Sequence, residues 1–258
     1  MVNPTNRSSI KLFVFPRMFE IPNLSPFCCK LETWLRIAQI QYEVVPTSDP
    51  RSAPRKKLPY IEDGDVRLPD SSAIIEHLSR TRAVELDARL GPAQRAIALL
   101  VKRTLEEHYS FVLAYTHLVR EEGLKHTGAR FTALPSLVRP LVAHAVRSNV
   151  KKLLWYQGLL RYAHDEVVAT AIEDWRAVLA VMSDGSFFFG EHATTIDATV
   201  FGVLAPTLLT PIDTPIRSFL RSEPKAIAYA ERMRGQFFPE LAGTPRPAER
   251  SLSAHANV

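Results

Sequence analysis

The chain has 258 residues, 46% of them hydrophobic, and a formal net charge of +5 from 32 Lys or Arg against 27 Asp or Glu. That length allows a sizeable core in one large or two modest domains. No apolar run approaches the roughly 20 residues that span a bilayer, and the N-terminus lacks the apolar run of a signal peptide. We therefore expect a cytoplasmic protein without a membrane span.

Neither the cysteines nor the basic residues indicate a specialised class. Cys28 and Cys29 are adjacent, too close to link distant parts of the chain as a structural disulfide does. The basic residues form two loose clusters, which are Arg51, Arg55, Lys56 and Lys57, then Arg139, Arg147, Lys151 and Lys152. Their apolar and acidic neighbours favour solvated faces over a polyanion site, so we expect no nucleic-acid partner.

The N-terminal third of the chain predicts a strand followed by a helix. Residues 10–16, IKLFVFP, are apolar and aromatic and end at a proline, as buried strands do. After a proline-rich loop, Ser25 and Pro26 have the residue types of an N-cap and a first helical position. Apolar residues recur at helical spacing through the segment that follows, so this segment predicts a helix.

Three further strands and a helix complete the first part of the chain. The short run YEVVP is β-branched, and LPYIEDGDVRL contains two strand-like pieces joined by Asp63-Gly64, a dipeptide favoured in type I′ hairpins. The segment DSSAIIEHLSRT begins with capping residues and continues with a helical pattern. The order βαβ-ββα predicts an α+β, thioredoxin-like domain.

From Pro92 onward strand signals largely vanish and helical periodicity dominates, so the second half predicts an all-α domain. Further candidate helices span about 136–162, 166–183, 195–209 and 223–236. The end of the chain is polar and rich in small residues. We therefore predict four parts, which are a flexible N-terminus (1–9), a thioredoxin-like domain (10–82), an all-helical domain (83–240) and a disordered tail (241–258).

Ser25 is the first candidate for chemistry. A helix N-terminus has unpaired N–H groups and partial positive charge, which stabilise an anion such as a thiolate. The segment from Ser25 to Cys28 has the spacing of a C-x-x-C redox motif with its first cysteine replaced, which excludes a dithiol cycle between these positions. Helix capping and activation of a ligand remain equal alternatives for Ser25.

The segments FPR, SPFC and WLR, then KLPYIEDG and DSSAIIEHL, together resemble the glutathione transferase superfamily, in the branch related to failed-axon-connections and metaxin proteins. The resemblance implies glutathione as co-substrate. It implies that Pro59 follows a cis peptide and that the backbone of Leu58 pairs with the cysteinyl unit of glutathione. It further implies that Asp70 and Ser71 hold the γ-glutamyl group, with the Ser71 N–H at a helix N-terminus.

The resemblance extends into the second half through FFFGEHATTIDATVFGVLA, which is similar to the buried helix of the superfamily. Thr194 and Asp197 stand in the S/T-x-x-D relation of a capping box. We expect these two residues to act in folding, because capping explains them fully.

Several other residues have two interpretations. Cys28, one turn beyond Ser25, is a first-turn thiol or, as we favour, a small buried residue. Arg17 binds a substrate carboxylate or lies on the surface, and Lys30 attracts an anion or, as we favour, lies on a solvated helix face. His108 and Tyr109 line the substrate pocket or belong to the core.

The leading hypothesis is a glutathione-dependent transferase in which the Ser25 hydroxyl stabilises the glutathione thiolate for attack on a small hydrophobic electrophile. The first alternative is a non-catalytic binding or adaptor protein of the same fold, and the second is a thiol-disulfide enzyme using Cys28. We expect a homodimer by analogy with the superfamily. No metal-ligand or nucleotide-binding motif occurs, so we expect no metal or nucleotide cofactor.

Overall fold

A computed structural model describes residues 9–128 and 137–242. The first part of the chain is the predicted thioredoxin-like domain, with the order βαβ-ββα. Its elements are β1 (Ile10–Val14), α1 (Pro26–Ile37), β2 (Tyr42–Pro46), β3 (Tyr60–Asp63), β4 (Val66–Pro69) and α2 (Ser71–Arg82). The four strands form one mixed sheet in the order β2-β1-β3-β4. The α+β prediction is therefore confirmed.

The strand register brings three segments to one edge of this sheet. Strand β1 pairs in parallel with β2 and antiparallel with β3, and Phe13 lies opposite Tyr60. Strand β4 pairs antiparallel with β3, and Pro69 lies opposite Tyr60. The carboxyl end of β1, the start of β3 and the start of α2 therefore meet at the same edge.

The hairpin between β3 and β4 differs in detail from its prediction. The two turn residues are Gly64 and Asp65, with Asp63 still paired to Val66. A type I′ turn needs positive φ at both turn residues, and of these two only Gly64 has it. The predicted type I′ turn is therefore not formed.

The second part of the chain is helical, as predicted. Its elements are α3 (Pro92–Arg103), a π-helical turn (Thr104–Tyr109), α4 (Ser110–Leu118), α5 (Glu121–Thr127), α6 (Arg139–Gln157), α7 (His164–Val181), α8 (Thr195–Leu208), α9 (Pro215–Arg221), α10 (Pro224–Phe237) and α11 (Pro239–Ala242). The short helices α5, α9 and α11 were not predicted. Of the predicted disordered tail (241–258), residues 241 and 242 instead belong to α11, and residues 243–258 lie outside the described residues, as do residues 1–8 of the predicted flexible N-terminus.

Helix α1 joins the two parts because it is buried on all sides. Every residue from Cys28 to Leu35 is buried, and its neighbours Cys28 and Cys29 pack into different hydrophobic clusters. Cys28 packs with the sheet and α2, and Cys29 packs with the helical part. Helix α8 packs directly against α1 at Gly202. A Cβ at Gly202 would lie 2.8 Å from both the backbone N and the Cβ of Lys30, so only glycine permits this close approach. Helix α8 therefore crosses α1 in close contact.

Of the predicted capping box at the start of α8, only the half formed by the Asp197 carboxylate is observed, because the Thr194 hydroxyl donates to that carboxylate and does not cap the helix. The carboxylate is part of a larger network. The Asp197 carboxylate accepts hydrogen bonds from the N–H and the hydroxyl of Thr194, both at 2.8 Å. It also accepts from the N–H of Phe188 at 2.7 Å and from the hydroxyl of Tyr229 at 2.9 Å. Burial raises the pKa of Asp197, which these hydrogen bonds counteract. This carboxylate therefore links the start of α8, the preceding loop and α10.

Candidate functional site

Ser25 lies at the N-cap of α1, held by the residues just before it. The Asn23 side chain is fully buried, donates to the carbonyl of Phe15 at 2.6 Å and accepts from the N–H of Ser25 at 3.0 Å. The Ser25 side chain forms no capping hydrogen bond to α1. Of the two alternatives for Ser25, capping by the hydroxyl is therefore not observed, and the hydroxyl is half-buried at the helix N-terminus.

The other residues that the resemblance implies lie at the same sheet edge, where β3 and α2 begin. The Leu58–Pro59 peptide is cis, and no described residue hydrogen-bonds to the main chain of Leu58. Asp70 is the N-cap of α2, and its carboxylate accepts from the N–H groups of Ser72 and Ala73 at 2.9 and 3.1 Å. Ser71 is buried as the first residue of α2, so its N–H has no acceptor within the helix.

Lys30 is a buried member of this site, so the interpretation favoured from the sequence was wrong. Its side chain is only 2% exposed, whereas a solvated helix face was expected. Its Nζ donates to the Ser72 hydroxyl at 2.9 Å and to Glu106 Oε1 at 2.5 Å. Burial lowers the pKa of Lys30, and the Glu106 carboxylate opposes that effect. The ammonium therefore connects α1 to the first turn of α2 and to the helical part.

Glu106 faces Lys30 across a narrow crevice between the two parts of the chain. The crevice leaves no room for a water molecule and begins beside the first turn of α1. Its lining residues are Pro26, Phe27, Lys30, Leu105, Glu106, Ser110, Thr199 and Val203. Glu106 belongs to the π-helical turn, a type of helix defect that occurs often at functional sites. The crevice therefore lies between the first turn of α1 and the π-helical turn that contains Glu106.

The two pocket candidates of the helical part lie elsewhere on the same turn. Tyr109 is buried in the core, where its hydroxyl donates to Thr207 at 3.2 Å and its ring packs edge-on against Trp175. His108 pairs with Asp174 of α7 at 2.6 Å, and that carboxylate raises the pKa of His108. Neither residue lines the crevice, so their role in a pocket stays a prediction.

The cysteines are both completely buried, in keeping with the interpretation that we favoured. Burial raises the pKa of Cys29 far above its ordinary value. Cys28 packs in the core between α1 and the sheet, where a bulky disulfide partner has no access. Thiol chemistry needs a thiolate that is accessible, so the surroundings of Cys28 oppose its catalytic role.

Arg17 is engaged in an ion-pair network. It pairs with Glu32, a fully buried carboxylate of α1, and reaches Glu240 at 3.4 Å. Arg36 binds the same two carboxylates and donates to the carbonyl of Phe237. The guanidinium of Arg17 therefore links α11 to α1 through ion pairs. Its binding of a substrate carboxylate stays a prediction.

The loop before α1, residues 17–24, packs against the helical part. Ile21 and Leu24 are buried in the helical hydrophobic cluster, and Phe19 contacts His126 edge to face.

Within residues 9–128 and 137–242, no group of three His, Cys, Asp or Glu residues could hold a metal ion. No helix in those ranges is long and apolar enough to cross a membrane.

A thioredoxin-like domain followed by helices, with a cis-proline and a helix N-terminus at one sheet edge, defines the glutathione transferase fold. Glutathione transferase GSTFuA3 from Phanerochaete chrysosporium is similar in structure, with a TM-score of 0.65 at 14% identity over 90% of this chain and 99% of that chain. Residues 26–123 match the glutathione S-transferase N-terminal domain, and residues 171–233 match its C-terminal domain. The chain belongs to the glutathione S-transferase superfamily.

Its relatives include a named transferase and proteins named for other roles. "Failed axon connections" of Drosophila melanogaster is 27% identical over 255 residues, 93% of this chain and 61% of that protein's length. "Isoprene-epoxide--glutathione S-transferase" of Rhodococcus sp. (strain AD45) is 27% identical over 88% of this chain and 99% of that protein. The mitochondrial outer membrane import complex protein METAXIN of Arabidopsis thaliana is 22% identical over 89% and 73%. The predicted similarity to this branch is confirmed.

Proposed function

We propose that the protein is a glutathione-dependent transferase in which the Ser25 hydroxyl stabilises the glutathione thiolate. The observation that carries this proposal is that the hydroxyl lies at the N-cap of α1 without serving as a cap. A helix N-terminus favours an adjacent anion, and a hydroxyl that is not committed to the helix can donate to sulfur. Asn23 supports the proposal by fixing the backbone of Ser25.

The chain offers groups that fit glutathione at the same edge. The free main chain of Leu58, before Pro59, suits a peptide backbone such as the cysteinyl unit. The N–H of Ser71 suits the γ-glutamyl carboxylate, because a helix N-terminus binds anions. Asp70 would accept from the γ-glutamyl ammonium, since its carboxylate has lone pairs beyond the two N–H groups it already caps.

The chemistry follows from the pKa of the bound thiol. A thiol of pKa about 8.5 is mostly protonated at neutral pH, and lowering that value by about two units, worth roughly 2.7 kcal/mol, makes it mostly anionic. The thiolate would then attack a small hydrophobic electrophile. The named substrate of the Rhodococcus relative, an epoxide of isoprene, supports that electrophile class. We further propose a cytoplasmic homodimer.

A second candidate is a non-catalytic binding protein of the same fold. Two observations favour it, which are the small volume of the crevice and the Lys30–Glu106 ion pair that spans it. Ligand pockets commonly hold about 300 to 1,000 Å³, so an electrophile would have to open this crevice. Glutathione affinity without turnover would favour this candidate. The Cys28 thiol-disulfide hypothesis has less support because Cys28 is inaccessible.

The substitution Ser25→Ala tests the transferase proposal. We expect kcat to fall by about 30- to 100-fold at neutral pH, with the Kd for glutathione changed by less than about three-fold, because the hydroxyl acts on the thiolate and not on the peptide. The ultraviolet absorbance of the bound thiolate, followed against pH, should report a pKa about two units higher in this variant.

Ser79→Ala is the matched control, since Ser79 lies in α2 well beyond its first turn. It should leave kcat and the thiol pKa unchanged. If Ser25→Ala and Ser79→Ala turn over glutathione at the same rate as the wild type, Ser25 has no part in the mechanism.

A further inference from the structure

The net positive charge of this chain comes from one segment. Residues 137–164 contain five Lys or Arg and no Asp or Glu, so the remaining residues hold 27 of each sign and have no net charge. The segment comprises α6, the short 3₁₀ turn Leu159–Arg161 and the residues beside them. Within the described ranges, no residue forms an ion pair with Lys151, Lys152 or Arg161. The charges of Lys151, Lys152 and Arg161 therefore face outward, without acidic partners among the described residues.

Helix α6 is also the least buried long helix of the described chain. Of its 19 residues only Leu154 is buried. Large apolar side chains are exposed instead, with Leu141 at 70%, Trp155 at 53% and Tyr156 at 81% exposure, accompanied by Leu153. Apolar side chains of this size are rarely exposed together on one helix without a binding partner.

The exposed side chains and the lysines share one face. Leu141, Lys152 and Tyr156 recur at spacings of 11 and 4, which align them along one helical stripe. Trp155 and Lys151 flank that stripe. The Arg161 guanidinium lies 5.6 Å from the centre of the Trp155 ring, which joins the 3₁₀ turn to the same surface. We call these six residues the α6 face.

The α6 face lies outside the two segments that match the family domains. The two family matches cover residues 26–123 and 171–233, and α6 lies between them. The sheet edge with Ser25 and the crevice contain no residue of α6. The α6 face is therefore separate from the residues proposed to hold glutathione.

We propose that the α6 face docks the protein onto an anionic lipid membrane surface. Helices that lie in the membrane interface combine Lys or Arg with Trp, Tyr and Leu, and anionic lipids attract each basic residue. A second copy of the chain fits less well, because a twofold contact would oppose two basic faces. A nucleic acid or acidic protein would match the charge but would leave Leu141 without an apolar contact. The helix lies on the bilayer and does not cross it.

The chain contains its own probe for this docking. Of its three tryptophans, Trp34 and Trp175 are completely buried and Trp155 is half exposed. Vesicles of phosphatidylcholine and phosphatidylserine at about 3:1 should therefore co-sediment the 258-residue chain and shift its tryptophan emission to the blue. Phosphatidylcholine vesicles should do neither. Trp155→Phe should abolish the shift while retaining co-sedimentation.

Charge reversal tests the basic residues against a matched control. Lys151→Glu with Lys152→Glu should lower partitioning into the anionic vesicles by at least about 30-fold, since each basic residue near such a surface contributes on the order of 1 kcal/mol. Lys56→Glu with Lys57→Glu makes the same change of charge on an exposed surface of the thioredoxin-like domain and should retain most of the partitioning.

Three outcomes would overturn the proposal. The first is no co-sedimentation with anionic vesicles at low ionic strength, and the second is an equal loss in the two charge-reversal variants. The third is binding to duplex DNA or to an acidic peptide without any shift of tryptophan emission on adding vesicles.

Discussion

Lys30→Met is expected to lower the free energy of unfolding by about 3 kcal/mol, although it replaces a buried charge by an apolar side chain of similar length. The reason is the partner that it leaves behind. Glu106 is only 9% exposed and would keep a buried carboxylate, with Lys102 at 3.6 Å as its nearest remaining cation. Denaturant unfolding of the wild type and the variant measures the difference.

The double variant Lys30→Met with Glu106→Leu distinguishes the net contribution of the ion pair to stability from the cost of leaving one partner buried alone. Replacing both partners by apolar side chains should bring the free energy of unfolding back to within about 1 kcal/mol of the wild type. The surface pair Arg103–Glu107, at 3.0 Å in adjoining turns, is the control, and its coupling energy should stay below about 0.5 kcal/mol. Similar coupling energies for the two pairs would contradict the buried position of Lys30.

The same residue gives stability a pH dependence of defined sign. Burial lowers the pKa of Lys30 from the value of 10.5 expected in an unfolded chain. Between the lowered pKa and 10.5 the native state binds fewer protons than the unfolded state, so this group makes the free energy of unfolding rise with pH through that window. Lys30→Met should remove the rise.

Asp197→Ala is expected to lower the free energy of unfolding by about 4 kcal/mol, because several buried donors lose their shared acceptor at once. The N–H groups of Phe188 and Thr194 and the hydroxyl of Tyr229 would lose their charged partner. Thermal and denaturant unfolding measure the loss.

Two controls bracket that prediction. Tyr229→Phe removes a single donor and should cost about 1 to 1.5 kcal/mol. Asp213→Ala removes an aspartate that is 83% exposed and should change stability by less than about 0.5 kcal/mol. A cost for Asp197→Ala no larger than for Asp213→Ala would mean that the network does not hold α8 in place.

The fold could be predicted largely from the sequence because its signals are local. Ser25 and Pro26 mark the start of α1, and the S/T-x-x-D relation of Thr194 and Asp197 marks the start of α8. Each signal depends on residues within one turn of each other. The cis peptide before Pro59 was predicted from the family resemblance, as was the role of Asp70 and Ser71 in holding the γ-glutamyl group.

The crevice could not be predicted, because its two charged residues meet only in the tertiary structure. Lys30 looks like a surface lysine until Gly202 brings α8 against α1. Glu106 and His108 lie in a π-helical turn, where the regular spacing of 3.6 residues does not hold. That irregular turn brings Glu106 to the crevice and His108 to Asp174 of α7. The sequence spacing alone gave no sign of it.

Calorimetric titration with reduced glutathione, followed by a conjugation assay on the same sample, tests the proposed function most directly. We expect saturable binding and turnover of a small epoxide, with binding weakened at least ten-fold by Asp70→Ala, whose carboxylate is proposed to hold the γ-glutamyl group. Binding without turnover would favour the non-catalytic candidate. No detectable binding at millimolar glutathione would contradict the glutathione site itself.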